Sequence, residues 1–186
     1  MLDGYSYSSL RMAHALPPKH RREMQAMLII RDEIPTDRAA MRTVIEAAFG
    51  RQYEADLVDG LRNHRVCEFS LVAVENDDVL GHALFSRMTA PFRALGLAPV
   101  SVMPGRQGLG IGSRLIHAGL ERARLAGWQG VFVLGDPSYY RRFGFDPSTA
   151  ATFECRYAGP HLMALALGDA LPVTTGRVEY ASAFDL

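Results

Sequence analysis

The sequence lacks the features that would make a membrane, a metal or disulfide bonds the basis of this protein. Its two cysteines, Cys67 and Cys155, lie far apart and form no Cys-x-x-Cys or Cys/His spacing. Neither a disulfide framework nor a metal site is therefore expected. No apolar run reaches the length that crosses a bilayer. Charges and prolines interrupt residues 1–26, which excludes a signal-peptide core. We expect a cytoplasmic protein that does not act at a membrane.

The sequence also lacks an excess of either charge. Lysine and arginine together number 20, aspartate and glutamate number 20, and the formal net charge is zero. This balance gives no reason to expect nucleic acid as the partner. A chain of 186 residues suits one domain. Because residues 1–26 show no sustained hydrophobic period, we expect a flexible N-terminal extension, or alternatively a docking arm, followed by a single domain over residues 27–186.

Hydrophobic periodicity predicts a mixed α/β order of elements. The expected order is a strand at 28–31, helices at 36–49 and 54–63, an antiparallel hairpin of strands 69–74 and 79–88, an apolar strand at 95–103, a glycine-rich loop, a helix ending near 126, a strand at 131–134, a short helix at 136–143, and then strand and loop. The middle of the chain is thus a strand–loop–helix–strand core.

The glycine-rich loop predicts an anion site. Gly108, Gly110 and Gly112 stand immediately before a helix. Glycine lets a ligand approach the backbone closely, and the first turn of a helix offers N–H groups without partners. Together they can hold a pyrophosphate without a lysine. The alternative is that small residues only allow the helix to pack near a strand.

Two familiar phosphate loops fit poorly. A Walker A loop ends in Gly-Lys-Ser/Thr. Here Gly110 is followed by Ile111-Gly112-Ser113, so the lysine is missing. A dinucleotide fingerprint needs a third glycine where Ser113 stands, and repeated βαβ units are absent. Asp136, after the next strand, could still bind a ribose, so nucleotide-cofactor binding stays open as an alternative.

A third loop fits better. Gln107-x-x-Gly110-x-Gly112 resembles the acyl-CoA loop, Q/R-x-x-G-x-G/A, of the GNAT superfamily of N-acetyltransferases. Residues 139–145, Tyr-Tyr-Arg-Arg-Phe-Gly-Phe, resemble the short helix of that family that ends in Tyr-x-x-x-Gly-Phe. Residues 135–137 and 81–86 are similar to its YhbS-like bacterial branch. The resemblance covers residues 28–146 well and the later stretch more loosely, and Met103 and Arg106 depart from the branch pattern.

The resemblance implies an α/β fold with a mixed, mostly antiparallel twisted sheet, flanked by helices, whose central strands splay apart around pantetheine. Pro99 gives this sequence its own reason for a splay, since proline cannot donate a ladder hydrogen bond. An ordinary edge-strand proline is the alternative. The resemblance implies acetyl-CoA as the acyl donor, with no metal, and these contact residues: Val100, Ser101, Val102, Gln107, Gly108, Leu109, Gly110, Ile111, Gly112, Ser113 and Phe143.

By the same resemblance, the Val102 N–H faces the thioester oxygen and Tyr140 protonates the departing thiolate. Tyr140 could instead be a packed aromatic residue. A general base could be Glu68, Glu75 or His82; we choose His82 first, although a lone strand histidine is often structural. The expected function is N-acetylation of a primary amine on a small molecule or a protein. A non-catalytic acyl-CoA sensor is the main alternative, and a homodimer is left open.

Overall fold

The structure is a computed structural model, and it describes residues 27–185. The extension expected over residues 1–26 lies outside the described residues. The described chain contains eight strands and five α-helices, with four short 3-10 turns at Pro35–Asp37, Pro104–Arg106, Arg141–Phe143 and Ser182–Asp185. In chain order the elements are β1 (Ile29–Asp32), α1 (Arg38–Phe49), α2 (Tyr53–Asn63), β2 (Cys67–Glu75), β3 (Asp78–Arg87), β4 (Ala94–Val102), α3 (Ile111–Leu125), β5 (Gly130–Leu134), α4 (Pro137–Tyr140), α5 (Pro147–Ala150), β6 (Phe153–Glu154), β7 (Leu162–Ala166) and β8 (Gly176–Arg177).

The main sheet has six strands in the order β1-β2-β3-β4-β5-β7. The pair β4–β5 is parallel, because α3 carries the chain back between them, and the other neighbouring strands are antiparallel. β6 and β8 form a separate parallel pair. The prediction of a mixed, mostly antiparallel α/β sheet is confirmed.

Helices cover both faces of this sheet. Along β2, Leu71 and Ala73 pack in the cluster that contains α3, whereas Val72 and Val74 pack against α1 and α2. Alternate residues of a strand point to opposite faces, so α3 covers one face and α1 with α2 cover the other. Beyond α1 and α2, the segment from α5 to the C-terminal turn covers Phe132 and Ala94 on that second face. We call these the α3 face and the α1–α2 face.

The central strands separate at Pro99. β4 and β5 are paired from Ala94–Gly130 to Leu97–Val133 and no further. On its other side, β4 shifts register against β3 by one residue between Leu97 and Val100, where Pro99 lies. A proline and an extra residue both interrupt a ladder, so the end of β4 diverges from β5. This is the splay that the sequence analysis expected.

Candidate active site

An open cleft of about 390 Å³ lies at the splay, where α3 begins. Three parts of the chain line it: the end of β4, the loop that leads into α3, and the short helix after β5. Its lining residues are Val100, Val102, Arg106, Gln107, Gly108, Gly110, Ile111, Gly112, Ser113, Tyr139, Tyr140 and Arg142. The structure therefore brings together most of the residues that the sequence analysis selected.

The backbone at the end of β4 faces this cleft. The Met103 N–H donates to the Leu80 carbonyl at 2.9 Å. Because antiparallel ladders alternate between bonded and non-bonded pairs, Val102 and Val100 turn their N–H and C=O groups away from β3. The Val102 carbonyl accepts a hydrogen bond from Gln107 Nε2 at 3.1 Å, which agrees with this direction. Beyond the last β4–β5 pair, β4 thus presents backbone hydrogen-bonding groups to the cleft.

The loop before α3 leads into a helix N-terminus that opens on the cleft. Gly110, with φ of 80°, is the N-cap residue just before α3, and the Arg114 N–H donates to its carbonyl at 3.0 Å. The N–H groups of the first helical turn therefore have no helical partners, and the helix dipole makes them a favourable site for a negative charge. Arg106 and Arg142 line the same cleft; Arg142 adds positive charge, whereas the charge of Arg106 is balanced by Glu75. From the sequence, Arg106 was only a departure from the branch pattern, and Arg142 was not expected at the site.

Gly112 stands at a narrow point of the cleft. A Cβ placed on Gly112 would lie 3.0 Å from Tyr139 Oη and 3.6 Å from Val102 Cγ2. Tyr139 was expected only as a neighbour of Tyr140, yet its hydroxyl reaches the start of α3. The guanidinium of Arg142 lies over the Tyr139 ring, 4.6 Å from its centre. Tyr139 and Arg142 are three residues apart across α4 and the 3-10 turn that continues it, and this spacing is the signal that could have linked them.

Tyr140 is held beside the cleft by close packing. Its ring lies against Gly135, where an added Cβ would overlap the ring, and meets the Tyr139 ring at 87° with centroids 5.1 Å apart. Burial, with a smaller contribution from Tyr139, raises the pKa of Tyr140 to about 12. The Tyr140 hydroxyl therefore keeps its proton at neutral pH and can act as a proton donor.

Three expected contact residues lie away from the cleft. The Ser101 side chain is 2% exposed and points to the α1–α2 face, since it alternates with Val100 and Val102. Leu109 is 65% exposed at the tip of the loop. Phe143 is buried behind the tyrosines, with its ring centroid 5.5 Å from that of Tyr139. Its ring packs against both tyrosine rings.

The structure places His82 where a general base is not expected. Its side chain is fully buried on the α1–α2 face, and Nε2 lies 2.9 Å from the Ser70 hydroxyl. Burial, and then the charge of Arg62, lowers the pKa of His82 to about 3. A strand position beside β4 suggested a base, but strand alternation turns this side chain away from the cleft.

The two carboxylates considered as alternatives also have structural partners. Glu68 forms an ion pair with Arg87 at 3.4 Å, and Glu75 pairs with Arg106 beside the cleft. Neither lines the cleft. Within residues 27–185, no group of three His, Cys, Asp or Glu side chains could hold a metal ion, and no helix is long and apolar enough to cross a bilayer.

A mixed sheet that splays beside a helix N-terminus is the arrangement that the resemblance to N-acetyltransferases implied, and comparison with known proteins agrees. The profile of the Acetyltransferase (GNAT) family matches residues 38–145. The chain belongs to this family. It is 33% identical to the uncharacterized N-acetyltransferase YhbS of Escherichia coli over 168 residues, covering 85% of this chain and 99% of YhbS. It is 42% identical to the uncharacterized N-acetyltransferase YjhQ of Escherichia coli over 60% of this chain and 66% of YjhQ, just under two thirds of that relative.

Two solved structures resemble this one over most of its length. YhbS from Escherichia coli, in complex with CoA, superposes with a TM-score of 0.81 and 32% identity, covering 87% of this chain and 93% of that one. A GNAT family acetyltransferase from Brucella melitensis, in complex with acetyl-CoA, gives a TM-score of 0.74 and 42% identity, covering 86% and 99%.

Proposed function

We propose that this protein binds acetyl-CoA in the cleft and transfers the acetyl group to a primary amine. One observation carries the proposal: free β4 backbone, the N-terminus of α3 and a protonated tyrosine meet in a single cleft. The CoA complex of YhbS and the acetyl-CoA complex of the Brucella melitensis protein support the choice of ligand.

Each part of the ligand has a matching surface. The pyrophosphate would lie at the first turn of α3, where unpaired N–H groups and the nearby Arg142 favour negative charge. The pantetheine amides would pair with the outward-facing backbone groups of Val100, in place of a β5 strand, since the Val102 carbonyl already accepts from Gln107. The Val102 N–H would then face the thioester oxygen, where negative charge grows during attack.

The transfer step needs no covalent enzyme intermediate. A neutral amine nitrogen forms a bond to the thioester carbon while the carbon–sulfur bond breaks. Tyr140 gives its proton to the departing sulfur, so the products are the free thiol and the amide. The proton that the nitrogen loses returns to the Tyr140 oxygen through water, which restores the enzyme and balances the reaction.

The decisive experiment measures free thiol released from acetyl-CoA as a function of added amine. We expect release to rise and saturate with amine, and the acetylated amine to appear in equal amount. A sensor without an acceptor would bind acetyl-CoA, shown by calorimetry, but release no more thiol when amine is added. A parallel titration with NAD tests the nucleotide alternative, for which NAD would bind more tightly than CoA.

A further inference from the structure

An ion pair between Arg106 and Glu75 lies beside the acetyl-CoA cleft. Arg106 ends the 3-10 turn that precedes Gln107, and its side chain lines the cleft. Glu75 is the last residue of β2. The β2–β3 hairpin brings Glu75 to this place, because β3 runs along β4 and the Met103 N–H donates to the Leu80 carbonyl just before the turn. Two residues 31 positions apart therefore share a charge-assisted hydrogen bond at the cleft.

The two partners of this ion pair differ in their exposure. The Arg106 side chain is 41% exposed and lines the cleft, whereas the Glu75 side chain is 19% exposed and does not line it. The bond to Glu75 uses one guanidinium nitrogen, Nη2. An anion that enters the cleft would thus meet the guanidinium first, with the opposite charge of the carboxylate close behind it.

Arg142, the other arginine that lines the cleft within the described chain, has no such partner. Its guanidinium lies over the Tyr139 ring, 4.6 Å from the ring centre, and it forms no ion pair with any of residues 27–185. An aromatic face attracts a cation but does not cancel its charge. The two arginines are therefore not equivalent, since a carboxylate balances the charge of Arg106 alone.

A second fully charged arginine at the pyrophosphate would not speed the chemical step. CoA keeps every phosphate of acetyl-CoA after the transfer, so a phosphate contact binds the substrate, the transition state and the product equally. Such uniform binding lowers KM and leaves kcat for the chemical step unchanged. It also slows the departure of the product, and product release limits turnover in many enzymes. A balanced arginine beside the phosphates suits an enzyme that must release CoA.

We propose that Glu75 limits the affinity of the cleft for the phosphates of acetyl-CoA and thereby sets the rate at which CoA leaves. The inference rests on the proposed function. Glu75 acts through Arg106, because it holds one guanidinium nitrogen and opposes the guanidinium charge. Glu75 touches neither the thioester nor the amine in this role, and it exchanges no proton with them.

The test compares Glu75→Gln with Glu68→Gln. Glu68 provides the matched control, because it is also a β2 carboxylate paired with an arginine, Arg87, and neither of these two residues lines the cleft. Glutamine keeps the shape of the side chain and removes its charge. By calorimetry, we expect Glu75→Gln to lower the Kd for acetyl-CoA and the Kd for CoA by about 3- to 5-fold, the size of one ion-pair contribution. Glu68→Gln should leave both within about 1.5-fold, since screening weakens distant charges.

Two further measurements show whether the effect depends on Arg106 and on the phosphates. In an Arg106→Gln background, the gain from Glu75→Gln should fall below about twofold, since the charge that Glu75 opposes is gone. With acetyl-pantetheine, which carries no phosphate, Glu75→Gln should leave kcat/KM within about 1.5-fold of the unsubstituted protein. The gain for acetyl-CoA should also disappear at roughly 1 M salt, where the screening length is about 3 Å.

Rate measurements separate CoA release from the chemistry. The single-turnover rate of acetyl transfer should stay within about 1.5-fold in Glu75→Gln, because no group that touches the reacting atoms has changed. The dissociation of CoA should slow, and product inhibition by CoA should strengthen, by about the same factor as the Kd. A large fall in the single-turnover rate would instead identify Glu75 as a catalytic group and overturn the inference.

The opposite change in affinity would also overturn the inference. Weaker binding of acetyl-CoA by Glu75→Gln would show that the carboxylate orients Arg106 for a phosphate instead of limiting its contribution. An unchanged Kd, an equal gain in Glu68→Gln, or an equal gain with acetyl-pantetheine would likewise refute the role of Glu75 and leave the proposed function intact. Failure of the unsubstituted protein to bind acetyl-CoA would overturn the proposed function itself.

Discussion

Substitution of Gly112 tests most directly whether the cleft is the acetyl-CoA site. In Gly112→Val the new Cβ would lie 3.0 Å from Tyr139 Oη and 3.6 Å from Val102 Cγ2, so the side chain would fill the narrow part of the cleft. The Tyr139 hydroxyl is the far end of a side chain that can move, and the free protein should tolerate the change. Acetyl-CoA should bind much more weakly to this variant, because the space beside the first turn of α3 is lost.

Gly110→Ala is the matched control, and it acts through a different mechanism. Nothing lies within 4 Å of a Cβ at Gly110, but its φ is +80°. An L-residue in the left-handed region is less stable by about 1–2 kcal/mol. The free Gly110→Ala protein should therefore melt at a lower temperature, while the cleft keeps its space. The two glycines look equivalent in the sequence, but in the structure a side chain at Gly110 would strain the backbone and one at Gly112 would block space.

The assay is thermal unfolding with and without acetyl-CoA. At about 100 times the dissociation constant, the ligand should stabilise the unsubstituted protein by about 2.7 kcal/mol. For a domain of this size that corresponds to roughly 5–10 °C. Gly112→Val should lose most of this shift with little change in the free protein, and Gly110→Ala should show the reverse order of effects. A full ligand shift in Gly112→Val would place the acetyl-CoA site elsewhere.

Four further predictions concern the tyrosines, the pH dependence and the N-terminus. Tyr140→Phe should slow the single-turnover transfer by about 10²–10³-fold if its hydroxyl protonates the thiolate, whereas Tyr139→Phe should mainly change acetyl-CoA affinity; equal slowing in both would argue against the assignment. Gly135→Ala should slow the same step, since its Cβ would displace the Tyr140 ring, and normal rates would show that the ring position is not critical. Because the pKa of Tyr140 is raised to about 12, kcat/KM should rise with amine deprotonation and show no fall below roughly pH 10; a falling limb near neutral pH that disappears in Tyr140→Phe would contradict this. A chain beginning at Met27 should bind acetyl-CoA like the full chain, since the lining of the cleft begins at Val100, and loss of binding by calorimetry would refute it.

Local patterns in the sequence were enough for the parts of the site that lie close together along the chain. The glycines before α3 must form a turn and a helix start, whatever packs around them. Pro99 must interrupt a ladder, and the structure has the splay there. The pair Tyr139–Tyr140 lies in a short helix that follows a strand directly, so both rings were expected near the strand end.

Only the tertiary structure decided which face each strand residue occupies and which distant segments meet. The register shift at Pro99 reverses the alternation of β4, so that Ser101 and Gly96 point to the α1–α2 face while Val100 and Val102 face the cleft. On β3, the alternation of side chains likewise directs His82 away from the cleft. The contact of Tyr180 with Gly96 joins residues 84 positions apart. No local pattern predicts that contact, because it depends on how the whole C-terminal segment folds back over the sheet.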